Sequence, residues 1–179
     1  MLQTQNTYLR LVNVDDAEFI LSLRQNQNLN QFLSAVSPDI QMQRDWIISY
    51  KLREEQGLDY YFIVMDKRFE DVGMVRVYDI NYENKSFTWG SWVLSENRPK
   101  YTALDSMILS YDFAFNELGL DLCQFKVHTA NKRAKLAREP LLSNNVSFGS
   151  TFKQTLVEGC LSAFSRIECC SFEIVFFFF

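Results

Sequence analysis

The chain has 179 residues, 47% of them hydrophobic and 22% charged, with a net charge of −4. That length holds one domain with a real core, taken here as residues 1–179, and the composition is that of a soluble globular protein. The acidic balance argues against a nucleic-acid binder, no stretch approaches the roughly 20 apolar residues of a membrane span, and Met1–Tyr8 lacks the basic start and apolar run of a signal peptide.

The four cysteines, Cys123, Cys160, Cys169 and Cys170, lack metal-ligand spacing, and His128 is the sole histidine, so no metal site is expected. With no export signal, reduced thiols and a cytoplasmic location are expected. His128 reads as a structural strand residue and a minor candidate base. Lys132, Arg133, Lys135 and Arg138 form a local basic cluster that reads as a solvated face or as a phosphate contact.

Tyr8–Val14 alternates as a first strand does. Asp15 or Asp16 then caps a helix carrying Phe19, Ile20 and Leu23 on one face. Gln25–Asn30 reads as a helix end and loop. Ser37-Pro38-Asp39 breaks the chain before a second helix, about Ile40–Gln56, with Trp46, Ile47, Tyr50 and Leu52 inward and Gly57 ending it. Three strands follow as antiparallel hairpins, Tyr60–Met65, Val72–Asp79 and Ser86–Leu94. A polar loop, Ser95–Lys100, feeds a third helix, about Thr102–Leu118, whose apolar stripe is Leu104, Met107, Ile108, Tyr111, Phe115 and Leu118, with Gly119 closing it. Leu122–Thr129 alternates again.

The order β-α-α-β-β-β-α-β predicts an α/β (α+β) fold: a mixed, mostly antiparallel central sheet with helices on both faces. A loop entering a helix start presents unpaired amides and the positive end of the macrodipole, a setting that holds phosphate. The strand–loop–helix–strand unit over residues 86–134 therefore points to a phosphorylated cofactor docked between two strands.

These segments resemble the GNAT superfamily of N-acetyltransferases, near the ribosomal-protein-alanine and sugar-amine acetyltransferases. Tyr8-Leu9-Arg10-Leu11-Val12 with Asp15-Asp16-Ala17 is similar to the first strand and helix of that group, and Trp46-Ile47 to its second helix. Gly90-Ser91-Trp92-Val93-Leu94 is similar to its central strand, Phe113–Leu120 to its third-helix end, and Asn131-Lys132-Arg133-Ala134 to the segment after its last parallel strand. The resemblance covers about Tyr8–Ala134 and implies acetyl-CoA lying between the Ser86–Leu94 and Leu122–Thr129 strands. It further implies a bulge or splay in the first of these and pairing of the Trp92–Leu94 backbone with the pantetheine arm. By the same resemblance the Val93 N–H polarises the thioester, and Asn131 with the loop Arg98, Pro99, Lys100, Tyr101, Thr102 and Ala103 holds the cofactor.

Departures from the family pattern are visible. Tyr101 stands where the pyrophosphate loop has its first glycine, and it serves there only with a negative φ; Arg98 and Lys100 can compensate with charge. Thr88 stands near the position of a common family carboxylate, and Thr88 and Ser91 remain as relays through water. Glu96, Asp79 and Glu83 lie near strand ends with nothing to choose between them. No tyrosine follows Tyr111, so the family's acid is missing, and Ser143 is the nearest hydroxyl. Pro140 interrupts the helix expected there. Leu141–Phe179, ending Ile-Val-Phe-Phe-Phe-Phe, reads either as a final strand or as a replaced C-terminus.

The expected activity is acetyl transfer from acetyl-CoA to a primary amine, an amino-sugar nucleotide or a protein N-terminus. The partner is thus a small-molecule or peptide amine, without nucleic acid or membrane, and a homodimer is allowed. The alternatives are a catalytically degenerate CoA-binding or interaction module and, behind it, an α/β interaction domain with no cofactor.

Overall fold

The computed structural model describes residues 1–128, 153–157 and 160–166, with side chains through Gln124. The sheet strands are β1 (Leu2–Gln3), β2 (Thr7–Leu11), β3 (Asp59–Asp66), β4 (Asp71–Asn81), β5 (Ser86–Leu94), β6 (Leu122–His128), β7 (Lys153–Val157) and β8 (Cys160–Arg166). They form one sheet in the order β1-β2-β3-β4-β5-β6-β8-β7. Every neighbouring pair is antiparallel except β5–β6, where the helical crossover forces a parallel pair. Two strands within the tail, β7 and β8, extend the sheet beyond β6. Phe172–Phe179, Ser143, Pro140, the basic cluster and Asn131 lie outside the described residues.

Helices cover both faces, as the alternation along the central strands requires. Tyr61, Ile63 and Met65 of β3 pack toward α1 (Ala17–Gln25) and α3 (Ile40–Glu55), beside Ile20, Ile47 and Tyr50. Phe62 and Val64, one residue out of step, pack toward α4 (Thr102–Asp112), beside Met107, Leu109 and Ala114.

Local chemistry sets the ends of these elements. Asp16, one of the two expected caps, occupies the N-cap of α1 without a side-chain capping bond there, and the 3-10 turn Val14–Asp16 before it is capped by Asn13: the Asn13 side chain accepts from the Asp15 N–H at 2.8 Å, and the Asp16 carboxylate reaches back to the Asn13 N–H at 2.8 Å. Asp16 is drawn into that position by a bidentate Arg10, 2.8 Å on both oxygens. Asp39 caps α3. Gly57 and Gly119 take φ of 72° and 67° just past α3 and past the turn that follows α4, a backbone only glycine adopts without strain. The last turn before Gly119 is a π turn, Phe113–Glu117, closed by Leu118 N–H to Phe113 O at 3.0 Å.

Four side chains expected inward face out. Leu52 is 59% exposed because it sits two residues, about 200° of helix, beyond buried Tyr50. Trp46 lies at the rim of the same stripe and serves as a platform for the Arg76 and Arg53 guanidiniums, 5.0 and 5.7 Å from its ring. Leu104 and Ile108 yield the sheet-facing side of α4 to Ser106 and Ser110, both fully buried. Gln27–Asn30 also differs from the loop expected there, forming a single helical turn, α2, capped by Asn26.

The two serines are on the inner face because two indoles need acceptors. Trp89 Nε1–H donates to Ser110 Oγ at 2.9 Å, and Trp92 Nε1–H to Ser106 Oγ at 3.1 Å. Ser110 in turn donates to Ser106 O or Met107 O, and Ser106 to Ala103 O. Ser110→Ala leaves the Trp89 N–H buried without a partner, which lowers stability by about 1–3 kcal/mol. Urea unfolding checks this, and a loss below about 0.5 kcal/mol would show that the bond contributes little net stability.

Candidate active site

Trp89 and Trp92 are three residues apart on one strand, yet both face α4, with ring centroids 5.4 Å apart. A regular strand would turn them to opposite faces. The strand gains a residue between them: Met74 pairs with Val93 and Arg76 with Gly90, so β5 spends three steps where β4 spends two. The extra residue is accommodated at Ser91, whose φ of 49° is the left-handed conformation of a bulge.

The bulge lies just past the point where β5 leaves β6. Their pairing runs Ser86↔Leu122, Phe87↔Cys123, Thr88↔Gln124 and stops there. Beyond Thr88, β5 continues to Leu94 and β6 to His128, and β6 keeps its full ladder with β8 on the other side. A wedge thus opens between the two parallel strands, with its apex at Thr88 and Gln124. The Ser95 N–H donates to Val72 O of β4 at 2.8 Å. Alternation then turns the Val93 backbone toward β4 and the Trp92 and Leu94 amides toward the wedge.

The loop after β5 leads to the N-terminus of α4. Tyr101 occupies the N-cap with φ of −66°, the negative value that a tyrosine in this place requires, and its side chain makes no capping bond. Thr102 N–H reaches Pro99 O at 3.2 Å and Asp105 N–H reaches Tyr101 O at 3.0 Å. The Ala103 and Leu104 amides have no backbone acceptor among the described residues. Two buried side-chain atoms here also lack a partner among the described residues: Arg98 Nε and Thr102 Oγ1. Native structures rarely bury such groups without a partner, so free donors gathered at a helix start fit an anionic ligand such as a diphosphate. Arg98 is held in place through its Nη1, which donates to Ser95 O at 2.9 Å.

Among the residues expected at the site, Trp92 and Leu94 border the wedge, whereas Val93, expected to polarise the thioester through its N–H, turns its backbone to β4 and buries its side chain in the cluster under α1 and α3. Thr88 is buried at the apex, and Ser91 carries the bulge. Arg98, Pro99, Lys100, Tyr101, Thr102 and Ala103 form the loop and first turn. Of the three unassigned carboxylates, Glu83 sits in the β4–β5 turn with its N–H on Asn81 Oδ1, and Glu96 lies near Asn28 of α2 at 3.3 Å. Asp79 alone reaches β5, 3.4 Å from Thr88 Oγ1. Nothing in the sequence ranks the three, because that contact depends on a second bulge, between Tyr78 and Asn81 of β4.

Residues 6–138 match the model of the acetyltransferase (GNAT) domain, and the chain belongs to that family; it is an N-acetyltransferase by class, with the mixed-sheet fold of its relatives. No curated protein matches the sequence. Among solved structures, apo FdhC, described as a nucleotide-linked sugar GNAT, is 35% identical with a TM-score of 0.77, over 92% of this chain and 89% of that one. Ribosomal-protein-S5-alanine acetyltransferase from Vibrio fischeri (15% identity, TM-score 0.72, 92% and 94% covered) shares the fold. So does a variant of spermidine N-acetyltransferase SpeG from Vibrio cholerae (16% identity, TM-score 0.69, 92% and 95% covered). Among the described residues no helix is long and apolar enough to cross a membrane, and no group of acidic, histidine and cysteine side chains could hold a metal.

Thr102→Val tests the reading of the orphan hydroxyl. Replacing an unpartnered buried hydroxyl with a methyl leaves the ligand-free urea midpoint unchanged or raises stability by up to about 1 kcal/mol. A clear drop would show that Oγ1 already has a partner within the fold.

Proposed function

We propose that this chain transfers the acetyl group of acetyl-CoA to the primary amine of a nucleotide-linked amino sugar. The observation that carries the cofactor half is the wedge beyond Thr88, bordered by the Trp92 and Leu94 amides and leading to free donors at the start of α4. When bound, acetyl-CoA supplies an activated acyl carbon and a thiolate leaving group. The Ala103 and Leu104 amides, Thr102 Oγ1 and the Arg98 side chain hold its diphosphate, with Lys100 adding charge. Leu94 and Trp92 pair with the pantetheine arm as an added strand would. Because the Val93 amide faces β4, the donor to the developing oxyanion is Trp92 N–H, a contribution of a few kcal/mol in such sites. Asn131 completes the phosphate contacts in this proposal.

The acceptor half rests on FdhC, whose 35% identity extends over 92% of this chain. The neighbours named for ribosomal-protein and spermidine acetylation are 15% and 16% identical and support the fold alone. A nucleotide-linked sugar acceptor is a soluble metabolite, consistent with action in the cytoplasm.

Isothermal titration with acetyl-CoA checks the first half. Binding is expected in the micromolar range, weakened about tenfold, or ~1.4 kcal/mol, by Arg98→Ala. No heat at millimolar acetyl-CoA would contradict it. Thiol release over a panel of nucleotide-linked amino sugars, spermidine and N-terminal peptides checks the second half. The highest kcat/KM is expected on the nucleotide-linked sugars. Cofactor binding without release on any amine would favour a degenerate module.

A further inference from the structure

Neighbouring residues on a strand point to opposite faces, so Tyr78 and Asp79 of β4 should lie on opposite sides of the sheet. They do not. The register passes from Tyr78↔Thr88 to Asn81↔Ser86, three steps on β4 against two on β5, and Asp79 takes a φ of 52°. This second bulge swings the Asp79 carboxylate back to within 3.4 Å of Thr88 Oγ1, the side chain directly opposite Tyr78. A non-glycine residue in this conformation costs about 1 kcal/mol or more, and bulges beside sites re-aim side chains in this way.

Tyr78 meanwhile leans diagonally over Gly90. Its hydroxyl oxygen lies 3.2 Å from the position a Cβ on Gly90 would take, so the absent side chain makes room for the phenol beside the β5 bulge. Among the described residues the hydroxyl has no hydrogen-bond partner, and the Arg76 guanidinium sits 4.6 Å from the ring centroid. Arg76 does not neutralise Asp79: it is committed to Asp59, donating from Nε to Oδ1 at 2.8 Å and from Nη2 to Oδ2, and Arg53 also pairs with Asp59 at 3.1 Å. Burial, with Asp79 as the next contributor, raises the Tyr78 hydroxyl above its usual range, and Arg76 opposes this in part, while Asp59 and the Cys123 thiol add to it. The phenol therefore keeps its proton at neutral pH.

We infer that the β4 bulge sets Asp79 and Tyr78 together at the apex of the wedge as proton acceptor and proton donor for acetyl transfer, the two groups that β5 and Thr88 do not supply. The inference rests on the acetyltransferase reading above. Asp79 takes one proton from the acceptor ammonium, directly or through a water held by Thr88, and passes it to solvent. The neutral amine forms the C–N bond, and the C–S bond breaks with its electron pair on sulfur. Tyr78 gives its proton to that sulfur and regains one from the newly acylated nitrogen, so the products are amide, thiol and one released proton.

The test uses the full chain, acetyl-CoA and the best acceptor of the thiol-release panel. Asp79→Asn and Asp79→Gly both suit the left-handed backbone and both lack the carboxylate. Each should keep the wild-type melting temperature while kcat/KM at pH 7 falls about 100-fold, the deficit shrinking as pH rises and the amine loses its proton unaided. Tyr78→Phe keeps the ring over Arg76 and should lower kcat about tenfold with acetyl-CoA affinity unchanged. Glu83→Gln, in the nearby turn, should leave the rate unchanged. Asp79 variants within about twofold of wild type at every pH would overturn the inference while leaving the acetyltransferase reading intact. Absence of wild-type turnover would count against that reading instead. In that case a crystal structure with acetyl-CoA decides: Tyr78 Oη and the Asp79 carboxylate within one bridging water of the thioester support the pair, and a greater separation overturns it.

Discussion

Two indoles that must both find acceptors on one helix impose a constraint on the strand that carries them. Trp89 and Trp92 reach Ser110 and Ser106 of α4 only because β5 gains a residue at Ser91. Removing the extra residue would turn one tryptophan to the opposite face and leave a buried hydroxyl and an indole N–H without partners, at a cost of a few kcal/mol. The same hydrogen bonds tie the bulge to the first turns of α4, since Ser106 is itself anchored to Ala103 O. Strand irregularity and helix start are therefore one mechanical unit, and the amides at both places keep fixed positions relative to one another.

The shape of the sheet follows from that unit. Past Thr88, just before the bulge, β5 no longer tracks β6, which stays bonded to β8, and the wedge opens between them. Among the described residues, the β5 backbone groups that face this opening have no strand partner across it. The opposite face is closed by α1 and α3, where Arg76, Asp59 and Arg53 form a paired charge cluster against Trp46, Tyr61 and Tyr78. Because these charges satisfy each other, the carboxylate of Asp79 is left without a cation among the described residues.

Much of the architecture was legible in the sequence because it rests on local signals. Ser37-Pro38-Asp39, Gly57 and Gly119 mark helix boundaries by backbone chemistry, and the polar turns between β3, β4 and β5 set off the hairpin strands. Facing directions were less legible. Leu52, Leu104 and Ile108 are as apolar as their buried neighbours, and only the helical phase set by Tyr50 or by the serines of α4 excludes them from the core. The bulge in β5 had a signal that composition hides: two tryptophans three apart on a strand, opposite serines four apart on a helix. The approach of Asp79 to Thr88 had none, since it depends on a register shift that brings together two residues nine apart in sequence on neighbouring strands. The pairing of β7 and β8 was equally hidden, because their order reverses on returning to β6.

The most direct test follows backbone amide resonances while acetyl-CoA is added to isotopically labelled protein. Ligand in the wedge shifts Trp92 and Leu94 together with Ala103 and Leu104, while Val93, turned to β4, moves less. Shifts confined to other surfaces, or none at saturating ligand, would contradict the claim that the parting of β5 from β6 is the cofactor site.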